Sequence, residues 1–580
     1  MAQALRLKSQ KYFAPESFAY SVDVLVDVEL PHLAKPYSYA VDSKHGELQI
    51  GSIVSVPFGN KTATGIVIQI NGEHKSGLKF IKKVIHDNAV VTEEQIELIN
   101  EAANRWTGTL WSYLKFCVPT IPAKSQIPKV FSNGIKRKIE QPELRIGSSY
   151  SDLIELLESR INPSRQLLVI VPDVNFLLFL RKSISKSITE YGSHLSNQDR
   201  VANYLNILAG KPNVIIGTRS AIFLPLRNDA EILIVDDLSF SFYESRFPFW
   251  NVRDIALIRT NRHSVTFYSH SPSLELARLA ETGWVRVRQK NSEPVKFYFK
   301  NERFSYQTVI KNGLRQGAVL VVVPEKGYIN ALVCAKCRNI RKCISCSGRL
   351  VKVTSIAKPS CQACLTVQKS NKCDYCDSDR LLSFGKGIDR IIEELGVQFP
   401  NVPLKKFGNQ GERFNKGQIV VTNYSQLPIA QFSAVLLLNF GRFSYQNKLR
   451  SSELARKTLF DIKALRAKEY YIDLETNDYF SQAILNGDSM KLALNELRER
   501  TAVNLPPEFR IAIVECDAKS AAIFEEQNFI SSVTYSGGRA LLKANVKDGV
   551  KLSQFLQEIA NYRSLRKLKP WNVKIDPLDI

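Results

Sequence analysis

The sequence has no apolar run approaching the ~18 residues of a membrane-spanning helix, although 44% of its 580 residues are hydrophobic. Its first residues, MAQALRLKSQKYF, lack the apolar stretch of a secretory leader. Scattered cysteines of the kind that staple extracellular folds are also missing: of ten, only Cys117 and Cys516 lie outside one short segment. Acids are in deficit, since 79 Lys and Arg against 56 Asp and Glu leave a net charge of +23. Nowhere does G-x-x-x-x-G-K-[ST] occur, the loop whose amides and lysine hold nucleotide phosphates. The expectation is a cytoplasmic, nucleoid-associated protein with no membrane partner. Its basicity favours a polyanion, of which nucleic acid is the commonest.

What is present is concentrated. Eight cysteines fall between Cys334 and Cys376 as four Cys-x-x-Cys pairs: Cys334/Cys337, Cys343/Cys346, Cys361/Cys364 and Cys373/Cys376. Each pair can present two thiolates from a tight turn, and two pairs complete a tetrahedral Zn–S4 site. Eight sulfurs make two structural Zn2+ with no open position for catalysis. Spacing alone permits nested, consecutive or interleaved pairing. Residues 334–380 carry ten Lys and Arg against three Asp. With eight thiolates and two Zn2+, about +3 remains for DNA or a partner, or the module is a clip that touches neither.

The rest reads as several domains, because the chain is too long for one core. VDVLVDV (22–28), YSYAV (37–41), SIVSVPFG (52–59) and TGIVIQI (64–70) are short strands of a small β domain. Tyr37, Tyr39, Phe58 and Lys61 belong to it, and aromatic plus cation on a β face can stack bases and hold phosphates. Thr92 caps a helix over 92–105, and a compact helical unit runs on to PTIP at 119–122. Residues 123–145 are a polar, basic linker. Two α/β sets follow: QLLVIVP, NVIIGT, EILIVDD and SVTFYSH, then GAVLVVVP, QIVVTN and SAVLLLNF. From LPP at 505–507 onward an α+β domain ends in the basic stretch RSLRKLKPW (563–571).

In this order the motifs are specific. IVSVPFGNKTATGIV (53–67), AANRWTGTLWSYLKFCVP (102–119), VIIGTRSAIFLP (214–225), YSHSPSLE (268–275), the eight-cysteine module and LPPEF (505–509) together resemble the bacterial replication-restart PriA (primosomal protein N-prime) family over nearly the whole chain. The resemblance implies a multidomain α/β fold. It places an N-terminal arm at 1–20, a β domain that captures a DNA 3′ end at 21–88, a winged helix at 89–122 and a linker at 123–145. Two RecA-like parallel-sheet lobes follow, at 146–290 and at 291–333 with 381–485. The second carries the double-zinc insertion at 334–380, and a C-terminal α+β domain for DNA or partners covers 490–580. In the family the zinc sites nest, which assigns Cys334, Cys337, Cys373 and Cys376 to one ion and Cys343, Cys346, Cys361 and Cys364 to the other. The family's aromatic-acid-aromatic triplet matches Tyr37-Ser38-Tyr39, with serine replacing the acid. Lys61 and Arg105 are further candidate DNA contacts.

The departures fall on the ATPase. Where the phosphate loop belongs, LRIGSSYSDLIELL (144–155) has one glycine and no lysine. The family's DEEH is Asp236-Asp237-Leu238-Ser239. The late arginine element falls near FDIKALRAK (460–468), where Arg466 alone matches, and the GTQM-type segment reads VTNYSQ (421–426). Phosphate cradle, water-activating acid and charge neutralisation are all lost, which leaves nothing to position a transferring phosphoryl group. The chain resembles the degenerate actinobacterial members: a pseudo-helicase with no catalytic residue, in which Asp236, Asp237 and Arg466 are remnants and neither ATP nor Mg2+ is expected. Its implied partners are branched or forked DNA, single-stranded DNA, primosome and replicative-helicase-loading proteins, and single-stranded DNA-binding protein as a further candidate. Two other readings compete. An active 3′–5′ helicase with an atypical nucleotide site predicts ATP turnover that rises with forked DNA. A zinc-dependent transcription or RNA-binding factor predicts tighter binding to RNA or promoter duplex than to forks.

Overall fold

The computed structural model describes residues 18–579 except 73–76, 132–137, 291–294, 301–304, 325–328, 345–349, 352–357, 362–365, 369–371, 387, 425 and 445–447. It divides into two units: Met1–Arg145, Glu155–Arg288 and Leu494–Ile580 form one, Ile146–Ile154 and Gln289–Ala493 the other.

The first unit opens with a five-stranded antiparallel sheet, in which Phe18–Val26 lies between Pro36–Asp42 and Lys61–Asn71, followed outward by Ile53–Phe58 and Lys83–His86. Alternation drives it: Val22, Val24, Val26, Tyr39, Val41, Val54 and Val56 point into one core. Gly59, with φ +57°, supplies the left-handed residue of the two-residue turn between Phe58 and Lys61. Two helices follow. Glu93–Arg105 starts in a capping box, Thr92 accepting from the Gln95 amide while the Gln95 side chain accepts from Thr92. Leu110–Cys117 is capped by Thr109. Trp106 and Tyr113 are buried between them and their surroundings, so both are core.

The first lobe is a seven-stranded sheet whose strands Ser264–Ser269, Glu231–Val235, Leu167–Ile170, Val214–Gly217 and Thr189–Tyr191 run side by side and parallel. Helices follow several of these strands, so both faces are covered and the strands are apolar throughout rather than alternating. The sheet begins at Glu143, within the stretch read as linker. The C-terminal domain is a four-stranded antiparallel sheet with helices Ala518–Glu525 and Gly549–Leu565. It is bolted to the end of the first long helix: the buried Arg510 donates to the Arg105 carbonyl at 2.9 Å and to Asp576 at 2.7 Å, and Ser553 Oγ donates to the same carbonyl at 2.6 Å.

The second unit is built on a six-stranded parallel sheet, ordered Lys296–Lys300, Glu469–Glu475, Ala434–Leu437, Val319–Val323, Ile419–Asn423 and Leu404–Lys406. Apolar clusters cover both its faces, one around Leu320, Val420 and Tyr470, the other around Val321, Val421 and Ile391. The cysteine segment leaves on strand Ile329–Cys334 and returns antiparallel on Leu381–Lys386. No helix among the described residues is long and apolar enough to cross a membrane.

Candidate metal centre and nucleic-acid interface

The ribbon sets Cys334 opposite Leu381, which brings the first and last cysteine pairs to one end. Each pair is closed by the same device. Arg338, at φ +59°, donates its amide to the Cys334 carbonyl at 3.0 Å; Asp377, at φ +56°, does so to Cys373 at 3.0 Å. The four sulfurs of Cys334, Cys337, Cys373 and Cys376 lie within 4.8 Å of one another. Cys334 and Cys376 are 3.5 Å apart, and Cys337 and Cys373 3.6 Å. That is far longer than a disulfide and close to the edge of about 3.8 Å that Zn–S bonds of about 2.3 Å give a tetrahedron. A backbone hydrogen bond from Cys337 draws the Cys334 thiol down to about 6. Cys376 goes the other way: although the Ser378 amide favours its thiolate, desolvation and the other three sulfurs push it up to about 12. Four thiolates cannot share this space without a cation, and the all-sulfur donor set suits a thiophilic one. Of the other four cysteines, Cys343 and Cys361 are buried beside Leu332 and Leu350. Cys346 and Cys364 lie outside the described residues.

In the N-terminal sheet Tyr37 is half-buried, its ring edge-on to Phe58 at 5.1 Å and its hydroxyl donating to the Leu33 carbonyl at 3.1 Å. Lys35 lies 5.9 Å from the same ring, and Lys61 is exposed at the Phe58 hairpin. Tyr39 is buried in the core, where desolvation and then Tyr37 push its phenol up to about 12. Ser38 donates to Asp23 Oδ1 at 2.6 Å across the strand pair. A carboxylate thus stands beside the serine, contributed by the neighbouring strand, where reading along the chain could not find it. Arg105 is engaged: it pairs with the buried Asp254 at 3.1 Å and lies over Trp106 at 5.2 Å.

The residues expected to be remnants of a nucleotide site make other contacts. Strand Glu231–Val235 ends at Asp236, whose φ of +65° turns the chain. Asp237 is buried, its Oδ2 accepting from the Ser273 amide at 3.0 Å at the start of helix Leu274–Glu281. Desolvation raises its carboxyl above the usual range. Leu238 is buried in the core. In the second unit, the amides of Ser148 and Ser149 both donate to Asp152 Oδ2, at 2.8 and 2.9 Å, and Ser148 Oγ does so at 2.9 Å. Lys290 Nζ holds the other carboxylate oxygen at 2.5 Å, and Arg466 donates to Ser148 Oγ at 3.2 Å. The amides of this turn are capped by the chain's own anion.

Residues 23–119 match the family model of the PriA 3′ DNA-binding domain (3′BD). These strands and helices are therefore similar to a DNA-binding domain of a known class, and parallel-sheet lobes follow, the second of which carries a cysteine cluster. Over most of the chain the similarity is to replication restart proteins named PriA. The probable replication restart protein PriA of Mycobacterium tuberculosis is 26% identical, covering 84% of this chain and 85% of that one. The Mycobacterium leprae protein is 25% identical over 95% of this chain and all of its own length. The replication restart protein PriA of Rickettsia conorii is 25% identical over 91% and 92%. The resemblance to the PriA family read from the motifs is borne out by these matches.

Proposed function

We propose that the protein is a DNA-binding replication restart factor that recognises abandoned or stalled forks and promotes primosome assembly and helicase loading without a motor of its own. The carrying observation is the occupied cradle: Asp152 accepts both amides of the Ser148-Ser149 turn and is itself locked by Lys290. A phosphate entering there would have to displace a carboxylate that already has four donors. Leu238, buried where a water-activating acid would stand, supports the same reading. So does Asp237, spent on the start of a helix.

Two Zn2+ hold the cysteine module, one on Cys334, Cys337, Cys373 and Cys376, the other on Cys343, Cys346, Cys361 and Cys364. The basic chain supplies phosphate contacts, so fork affinity falls steeply with salt. Tyr37 and Lys61 face the DNA 3′ end, with Ser38 and Asp23 together providing the polar group of that pocket and Tyr39 packed in the core beneath it. Forked DNA, single-stranded DNA and primosome proteins are the partners. The test is ATP binding and hydrolysis with and without forked DNA, beside fork affinity across a salt series. Fork preference with no nucleotide binding is the expected result. RNA or promoter duplex bound more tightly than forks would move the protein to another class.

A further inference from the structure

Within the first unit lies an open cleft of about 730 Å3. That is within the roughly 300–1,000 Å3 of sites that hold small organic ligands. Its walls come from three domains. The segment Thr107–Phe116 forms one; the turn at Thr218–Ser220 and the loop Glu244–Phe247 form the second; Leu556, Gln557 and Trp571 of the C-terminal domain form the third. Gln557 Oε1 accepts from the Gly108 amide at 2.8 Å, which closes the floor between the first and third walls. At the rim stands Pro31 of the DNA-binding domain, two residues from the Leu33 carbonyl that Tyr37 holds.

The lining has two chemistries in alternation. Trp111, Phe247 and Trp571 offer aromatic surface, and Phe247 is 52% exposed, a large apolar side chain left in water. Four cations line the cleft against two acids, Glu29 and Glu244. Glu244 is buried between two guanidiniums, Arg219 at 2.9 Å and Arg246 at 3.0 Å, so one positive charge is left over. Lys115 lies 3.8 Å from Glu29, but both are exposed, and so loose a surface pair yields readily to a stronger anion. Aromatic faces set between cations are how proteins hold unpaired strands, bases stacking on rings and phosphates meeting the charges.

We infer that this cleft holds a run of single-stranded DNA, continuous with the 3′-end domain at its rim. The inference rests on the DNA-binding reading above. Its test uses the full chain, a (dT)20 oligonucleotide and a blunt three-way duplex junction with no unpaired strand. Phe247→Ala and Lys115→Glu both alter exposed side chains, and thermal melts identical to the parent verify folding. Phe247→Ala should weaken (dT)20 binding about 10-fold with the salt slope unchanged. Lys115→Glu should weaken it and flatten the log–log salt slope by about 0.7. Junction affinity should hold in both. Unchanged (dT)20 affinity in both variants, with junction binding intact, overturns the cleft and spares the DNA-binding reading. A parent protein that binds neither probe overturns both.

Discussion

Replacing Asp152 by alanine tests the occupied cradle directly. Its carboxylate satisfies two backbone amides of buried serines and one hydroxyl. Loss of a helix-start cap costs about 1 kcal/mol. A buried amide left without a partner costs about 1–3 kcal/mol, reduced where water can enter. The Lys290 pair adds roughly 0–1 kcal/mol, since the lysine is half exposed. Together about 3 kcal/mol of local protection should vanish, or roughly 100-fold faster hydrogen exchange at Ser148 and Ser149, read in the full chain by mass spectrometry. The effect carries a pH signature. Burial opposes ionisation of Asp152, but hydrogen bonds from Lys290 and Ser148 outweigh it and hold the carboxyl at about 2 rather than 3.8. A depressed carboxylate stabilises fully above pH 3.8 and loses its contribution as pH falls through 2. The shift is worth at most about 2 kcal/mol, less with solvent screening around the lysine. Exchange at Ser148 and Ser149 that is unchanged in Asp152→Ala would refute the cradle's occupation by this residue.

Other outcomes are equally specific. Cys373→Ser should lower bound zinc from two ions per chain to one by elemental analysis and expose the ribbon Ile329–Cys334 to protease, since a closed Zn–S4 site supplies folding energy; retention of both ions would break the assignment. Arg510→Ala, which takes from Asp576 its charge partner, should cost about 2–3 kcal/mol and loosen the C-terminal domain, seen as a separate early step in urea unfolding. Asp23→Asn should weaken preference for a free 3′-hydroxyl over a 3′-phosphate end while leaving duplex affinity alone; an unaltered preference would remove Asp23 from the pocket.

The strongest signals along the chain were those with local causes. Cys-x-x-Cys spacing dictates a knuckle, and the structure forms the outer four into one cluster. Apolar runs such as Glu231–Val235 announce buried parallel strands, and they are found in the middle of their sheets. Strands Lys296–Lys300 and Glu469–Glu475 are not legible in the sequence, because their charged ends mask a short apolar middle that is buried only by the clusters on the two faces of the sheet. Helix caps at Thr92 and the linker's basic character were readable, but the sheet's first strand inside that linker was not, being four residues long. Contacts between distant residues were invisible in principle. Lys290 meets Asp152 across 138 residues, and Asp23 meets Ser38 only because two strands pair in one register. Missing motifs pointed to an absent nucleotide site; the structure adds what contacts Asp152, Asp237 and Arg466 make.

The proposed role requires lobes that support DNA binding without a motor. Steady-state ATP hydrolysis by the full chain, with zinc bound and with forked DNA added at saturating concentration, tests it most directly. No turnover above background is expected with or without the fork. Turnover that rises with forked DNA and disappears in Asp236→Ala would contradict it.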